Sequence, residues 1–352
     1  PLDSAARKAI ATADLVVGDV VAYWPMEDAE HALEAASLID GVAPLRPVGT
    51  SQFQAPVTGG KIPPAGLPKF AAGAGPVGSD RLLSLTEGGR LDGQIPGSPA
   101  SQNWDMHFTM THENGAADDV DGSEPLLLVS EGGAARWLVD VTDTAVTVFI
   151  SDADDNTLDS LVANVNHYDG TAHVYNIFAL NSGGNVSAGL WIDGVAADSV
   201  TINSTTVGPI RSVTVNPIEM RGENLASAFG HLVIYSGQLT GPETVSIANA
   251  IHGHPGETAG RRLERLCEEN TVPFPSSGDL DDTMPMAAQR VATLLEHVGE
   301  CERTDAGLVS EPATFLGLHY RTREDLYNQS AALALDFETD GVGPSLEPVV
   351  DD

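Results

Sequence analysis

Carboxylates, histidines and two cysteines are the groups in this 352-residue chain that could carry chemistry. Asp152, Asp154 and Asn156 stand at the i, i+2, i+4 spacing with which a calcium loop begins, which makes them the calcium candidates. Thr157 occupies the place of the turn-making glycine and no Glu follows at the closing position, so a solvated hairpin tip is the favoured reading. The acidic stretch Asp118, Asp119, Asp121 and Glu124, between Gly115 and Gly122, reads the same way. His252 and His254 could hold a metal from a strand, but Gly253 and Pro255 point to a linker. Cys267 and Cys301 fall in helical patterns with no CxxC spacing and no histidine beside them, as buried structural thiols do.

Catalysis asks for more than single groups. A retaining glycosidase needs two carboxyl groups about 5–5.5 Å apart, one as acid and one as nucleophile. Glu27, Asp28 and Glu30 follow a proline instead of alternating along a strand, and Asp105 with His107 lacks a second carboxylate. No nucleophile elbow, HExxH helix or phosphate-cradling GxxxxGK is present. The chain is therefore expected not to be an enzyme, with no catalytic, cofactor-binding or resident metal residue. Trp104, Trp137, Trp191 and Tyr235 are the aromatic candidates for a sugar platform, but each sits inside a strand pattern that predicts core packing. Asp193 is expected to shape its turn, not to bind a ligand, so the ligand-binding residues stay unassigned.

The elements that would position these groups follow from pattern. The formal net charge is −33 and no basic stripe occurs, which argues against nucleic-acid binding. No apolar run is long enough to insert in a membrane. His173 to Leu180 and Gly189 to Val195 are runs of β-branched and aromatic residues meeting Asp193-Gly194, the pair that supplies positive φ to a two-residue hairpin. Val20 to Trp24 reads as an edge strand ended by Pro25, Leu82 to Leu85 as a short strand in a Gly- and Pro-rich stretch, and 126–150 as a meander. Trp104, Met106, Phe108 and Met110 alternate with polar residues, predicting one buried and one wet face. Thr240 and Glu243 make a capping box for a short helix after the strand at 228–236.

Beyond Pro255 the period changes from 2 to 3.6. Helices are predicted over 258–270 and 286–302, then a strand pair at 307–321, a helical turn at 322–329 and a strand over 332–337. A helix over 3–13 leads the chain in.

The Asp193-Gly194 hairpin, the opening Ala22-Tyr23-Trp24-Pro25-Met26-Glu27-Asp28 and the closing strand at 228–236 resemble concanavalin A-like, laminin-G-like sandwiches. Pro1-Leu2-Asp3-Ser4-Ala5 followed by that opening strand, together with Gly260-Arg261-Arg262-Leu263-Glu264-Arg265-Leu266-Cys267, Leu316-Gly317-Leu318-His319-Tyr320-Arg321-Thr322-Arg323 and Leu326-Tyr327-Asn328-Gln329, resemble minor tail proteins of the tail-tip or baseplate-hub type from phages of actinobacteria. The resemblance implies a mainly β chain: a lead-in helix of the hub module at 1–15, an antiparallel β-sandwich at 16–254, and a smaller α+β hub-like segment at 255–352 that continues beyond the chain end. It implies a virion protein at the distal end of the tail, with other tail proteins as partners, a homotrimeric ring and contact with a host-surface glycan. A carbohydrate-active enzyme or secreted lectin of the same fold is the alternative.

Overall fold

A computed structural model describes residues 5–12, 20–48, 68–86, 88–95, 102–113, 123–217 and 226–328. Asp118, Asp119 and Asp121, and the strand expected over 332–337, lie outside the described residues. The chain divides into two compact units, residues 1–256 with 287–293, and residues 257–286 with 294–352.

The first unit is mainly β, built from two antiparallel sheets. In chain order its strands are β1 (Val20–Trp24), β2 (Arg46–Val48), β3 (Lys69–Gly73), β4 (Leu82–Ser84), β5 (Arg90–Gln94), β6 (Trp104–Thr111), β7 (Ser123–Gly132), β8 (Arg136–Val141), β9 (Val146–Ser151), β10 (Thr157–Ala163), β11 (Ala172–Ser182), β12 (Asn185–Ile192), β13 (Val195–Ile202), β14 (Val207–Val215) and β15 (Ala228–Ser236). One sheet runs β13-β12-β11-β6-β15-β4-β3 with β1 also on β15, and the other runs β10-β9-β8-β7-β14-β5-β2. The inner faces meet in one core, where Trp104 and Trp137 pack edge to face with centroids 4.9 Å apart and Phe108 stacks between Tyr175 and Phe229.

Two tight hairpins set the register of the central strands. Ile192 pairs with Val195 across Asp193 (φ 50) and Gly194 (φ 76), as the Asp-Gly pair predicts. Ser182 pairs with Asn185 across Gly183 and Gly184, also at positive φ. Because side chains alternate, this register puts Tyr175, Ile177 and Leu190 inside and Asn176 and Trp191 outside.

The expected wet face of β6 is not wet: all eight residues from Trp104 to Thr111 are buried. Helix α1 (Ala5–Thr12) and helix α2 (Gly241–Ile251) pack on each other and cover the outer face of that sheet. Ala6 and Ile10 of α1 and Ile247, Ala248 and Ile251 of α2 share a cluster with Tyr23, Val174, Val233 and Tyr235. A period-2 pattern reports polar positions, and here those positions lie under a third layer. Asp105 accepts from Asn176 Nδ2 and from the Leu239 amide, so its burial is compensated by hydrogen bonds. Thr240 and Glu243 form the capping box of α2 as expected. Helix α1, expected to belong to the hub module, packs within this first unit.

The second unit contains α3 (Ala259–Glu269), β16 (Ser276–Ser277), α4 (Leu294–Asp305), β17 (Leu308–Ser310), β18 (His319–Arg321) and α5 (Arg323–Tyr327). Thr258 and Thr322 cap α3 and α5. β17 and β18 form the expected antiparallel pair, and β16 adds in parallel to β18. Leu263, Leu280, Met286, Val298, Cys301 and Tyr320 make its core.

One predicted helix is shorter than its pattern. The helix expected over 286–302 begins only at Leu294. Within the second unit the Met286 amide donates to the Glu257 carbonyl, and within the first the Gln289 amide donates to the Gly253 carbonyl. The Gln289 amide thus goes to a tertiary partner instead of the carbonyl four residues back, and Leu295, on the face expected to be apolar, is 78% exposed.

Candidate functional site

A cluster of titratable side chains lies at one end of the sandwich, around the Asp193 turn. Positive φ at Asp193 points its carboxylate back at the start of β11, where it accepts from the Val174 amide at 2.8 Å and lies 2.7 Å from His173 Nδ1. His252, the C-cap residue of α2, brings Nε2 to 2.9 Å from the other side of the same carboxylate. Asp193 therefore shapes its turn as expected and also holds two imidazoles. Neither histidine's partner could be foreseen, because His173 lies 20 residues and His252 59 residues away.

The other side of His173 faces the loop between β10 and β11. Its Nε2 lies 3.0 Å from Thr171 Oγ1 and 3.3 Å from Asp169 Oδ2, while Thr171 Oγ1 donates to Asp169 Oδ1 at 2.7 Å. Burial pulls the His173 pKa down, but the hydrogen bond and charge of Asp193 and the charge of Asp169 outweigh it and hold the imidazole above its ordinary value. Burial likewise raises the Asp193 carboxyl, and hydrogen bonds from His173, His252 and the Val174 amide overcome that and hold it well below the usual carboxylate range.

His167 sits behind this pair. Its ring lies 4.1 Å from that of His173, and its Nδ1 shares a hydrogen bond with the hydroxyl of the fully buried Tyr175. Burial and the neighbouring His173 charge push its pKa down to about 4. His112, one residue past β6, reaches 2.9 Å from Ser123 Oγ and packs its ring 4.6 Å from Tyr168; burial and then the charges of His167 and His173 push it down to about 3. Tyr168 donates to the Val141 carbonyl at 3.2 Å, and the Gly170 amide donates to the His112 carbonyl at 3.1 Å. Loop 164–171 thus closes the space between the sheets, tied to β6 and β11 on one side and to β7 and β8 on the other.

This arrangement resembles an acid–base triad in outline only. A general base needs one ring nitrogen free to accept a proton. Both nitrogens of His173 face carboxylates, and the Thr171 hydroxyl gives its proton to Asp169, so His173 serves as a two-sided donor and Thr171 is not activated.

The remaining candidates are elsewhere. The Asp152 Oδ1 accepts from the amides of Asp154 and Asn156, and Asn156 Nδ2 reaches both carboxylate oxygens, so the calcium candidates form a turn closed on its own groups. Among the described residues no group of three or more His, Cys, Asp or Glu side chains has the geometry to hold a metal ion. Glu27 is buried against Arg7 and accepts from the Asp80 amide at 2.7 Å, and Asp28 accepts from the Ala36 amide. Trp104, Trp137 and Tyr235 are buried in the core as expected, while Trp191 is half-buried on the outer face beside Gly241. Cys267 and Cys301 are fully buried and unbonded to each other, and burial raises their thiols to about 11 and about 12. No described helix is long and apolar enough to cross a membrane.

No family model and no curated protein matches the chain. Among solved structures it is similar to the receptor-binding domain of botulinum neurotoxin D, with a TM-score of 0.39 and 14% identity over 46% of this chain and 41% of that one. It is also similar to the binding domain of Paraclostridial Mosquitocidal Protein 1, with a TM-score of 0.36 and 14% identity over 48% of this chain and 45% of that one. The chain covers less than half of either structure, and a likeness of this extent assigns it no ligand.

Proposed function

We propose that this chain is part of a phage tail tip, a minor tail protein of hub type whose β-sandwich is displayed to contact a host-surface glycan or a neighbouring tail protein. The observation that carries the reading is the pairing of the sandwich's two ends. α1 leads into the first strand and α2 follows the last, and the two helices pack side by side through Ala6, Ile10, Ile247 and Ile251, while β1 pairs with β15. A unit whose chain enters and leaves at one place can be carried in a loop of another module without disturbing it. In the tail-protein family that the sequence resembles, the sandwich is carried as an insertion in a loop of the hub module, and the paired ends fit that relation.

In this reading the role is binding, not turnover. The second unit contributes to a homotrimeric ring with other tail proteins, and the sandwich supplies the contact with glycan or neighbour. Electron microscopy of particles labelled with antibody against residues 123–217 tests the proposal: label at the distal tail supports it, and label on the capsid or the tail shaft alone refutes it. A glycan array probed with the full chain separates a sugar-contacting sandwich from one that contacts only protein.

A further inference from the structure

We propose that loop 164–171 is an acid-released plug: protons taken up by His167 and His112 drive it from the end of the sandwich and open that end to solvent. The proposal goes beyond the tail-tip role and does not rest on it.

The geometry places both histidines where a second positive charge has no partner. His167 is 4% exposed with its ring 4.1 Å from His173, and His112 is 1% exposed against Tyr168. The groups facing them are known from each packed element. β6 brings His112, β7 Ser123, the β8–β9 region Asp140 and Asp143, which act on Tyr168, and the loop its own Asp169 and Thr171. β11 brings His173 and Tyr175, the β12–β13 turn Asp193, and the end of α2 His252. The carboxylates of Asp169 and Asp193 are already engaged by His173 and His252. A proton on His167 therefore creates two imidazoliums in ring contact, within a site where each carboxylate is already shared.

Release relieves this. With the loop released, His167 in it and His112 uncovered beneath it recover ordinary histidine behaviour near 6.5, whereas with the loop in place they titrate at about 4 and about 3. Below pH 6.5 the released form binds more protons than the closed one, so opening grows as pH falls toward 4. His167 alone multiplies the opening equilibrium roughly 80-fold between pH 6.5 and 4. His173 works in the opposite sense: its raised pKa stabilises the closed loop below about 6.5 and loses that contribution as pH rises through its folded value. His173 thus helps to hold the plug below about 6.5, and His167 with His112 releases it as pH falls further toward 4.

Amide hydrogen exchange on the full chain at pH 7, 5.5 and 4.5, corrected for intrinsic rates, tests the proposal. Protection of residues 164–171 should fall by about 30-fold or more per 1.5 units below pH 6.5 while the amides of β8 hold theirs. His167→Phe keeps a ring against His173 without a titrating nitrogen and should cut the logarithm of that dependence to about half, the share that His112 carries. Protection that is flat with pH, or that falls equally in His167→Phe, overturns the proposal. Should the variant fail to fold, NMR titration of His167 in the unaltered chain decides: a value well below 6 supports the plug, and one near 6.5 refutes it.

Discussion

Replacing Asp193 by Asn isolates the charge at the centre of the sandwich end while sparing its backbone. Asn tolerates the positive φ of this turn position nearly as well as Asp, and its Oδ1 can still accept from the Val174 amide. What is lost is one carboxylate oxygen and the negative charge between His173 at 2.7 Å and His252 at 2.9 Å. A hydrogen bond to a charged group contributes about 1.5–3 kcal/mol when buried. The Asp193 side chain keeps 35% of its surface exposed, so solvent screening brings each of these contacts to roughly 1 kcal/mol. The variant should therefore lose about 1.5–2 kcal/mol at pH 7, measured by urea denaturation with tryptophan fluorescence.

The pH dependence of that loss carries the sign. The depressed Asp193 carboxyl contributes above its unfolded value near 3.9 and loses the contribution as pH falls through its folded value. The raised His173 contributes below about 6.5 and loses the contribution as pH rises through its folded value. The difference between parent and variant should thus be widest at pH 4–6.5, about where both charges are present, and narrow on either side. The His173 titration should move to lower pH in the variant, because burial then faces only Asp169. A stability difference under about 0.3 kcal/mol with an unmoved His173 titration would refute the reasoning.

Other substitutions test other parts of the same account. Trp137→Ala removes a fully buried indole stacked edge-on to Trp104 and bonded to the Ala134 carbonyl, and should cost about 3–5 kcal/mol in thermal or denaturant unfolding. Gly132→Ala should cost about 2 kcal/mol or more, because φ is +98° there and a Cβ would meet the Thr206 carbonyl at 2.6 Å; near-neutral stability would show that the bend can relax. In the second unit Glu257 accepts from Arg262 at 3.1 Å and from Arg265 at 2.8 Å, and Arg262 is fully buried. Glu257→Gln should destabilise that unit by about 3 kcal/mol, read as lost exchange protection in α3 with the β-sandwich amides unchanged.

Much of the architecture was legible because it is local. The Asp193-Gly194 pair requires a two-residue hairpin, Thr240 with Glu243 requires a helix start, and the alternation of Trp104, Met106, Phe108 and Met110 requires a strand with those four inward. The candidate site was much less legible. Asp193 was read correctly as a turn residue, but no pattern along the chain signals that His173, His252 and Asp169 converge on it. The aromatic candidates show the same division: period-2 spacing identified Trp104 and Trp137 as core, yet could not say that helix α2 would shelter the outer side of the sheet that carries Trp104.

Sequence by itself determined the mainly β character of the first unit, the hairpin registers, the helix caps and the change of period past Pro255, because each depends on backbone preferences or side-chain alternation over a few residues. Tertiary structure alone decided that α1 and α2 bury the polar face of β6, that the Gln289 amide goes to the Gly253 carbonyl and the Met286 amide to that of Glu257, and that four histidines from the end of β6, loop 164–171, β11 and the end of α2 gather at one end of the sandwich. Those outcomes depend on which distant groups arrive to take a hydrogen bond or exclude water, and no short-range pattern encodes their arrival.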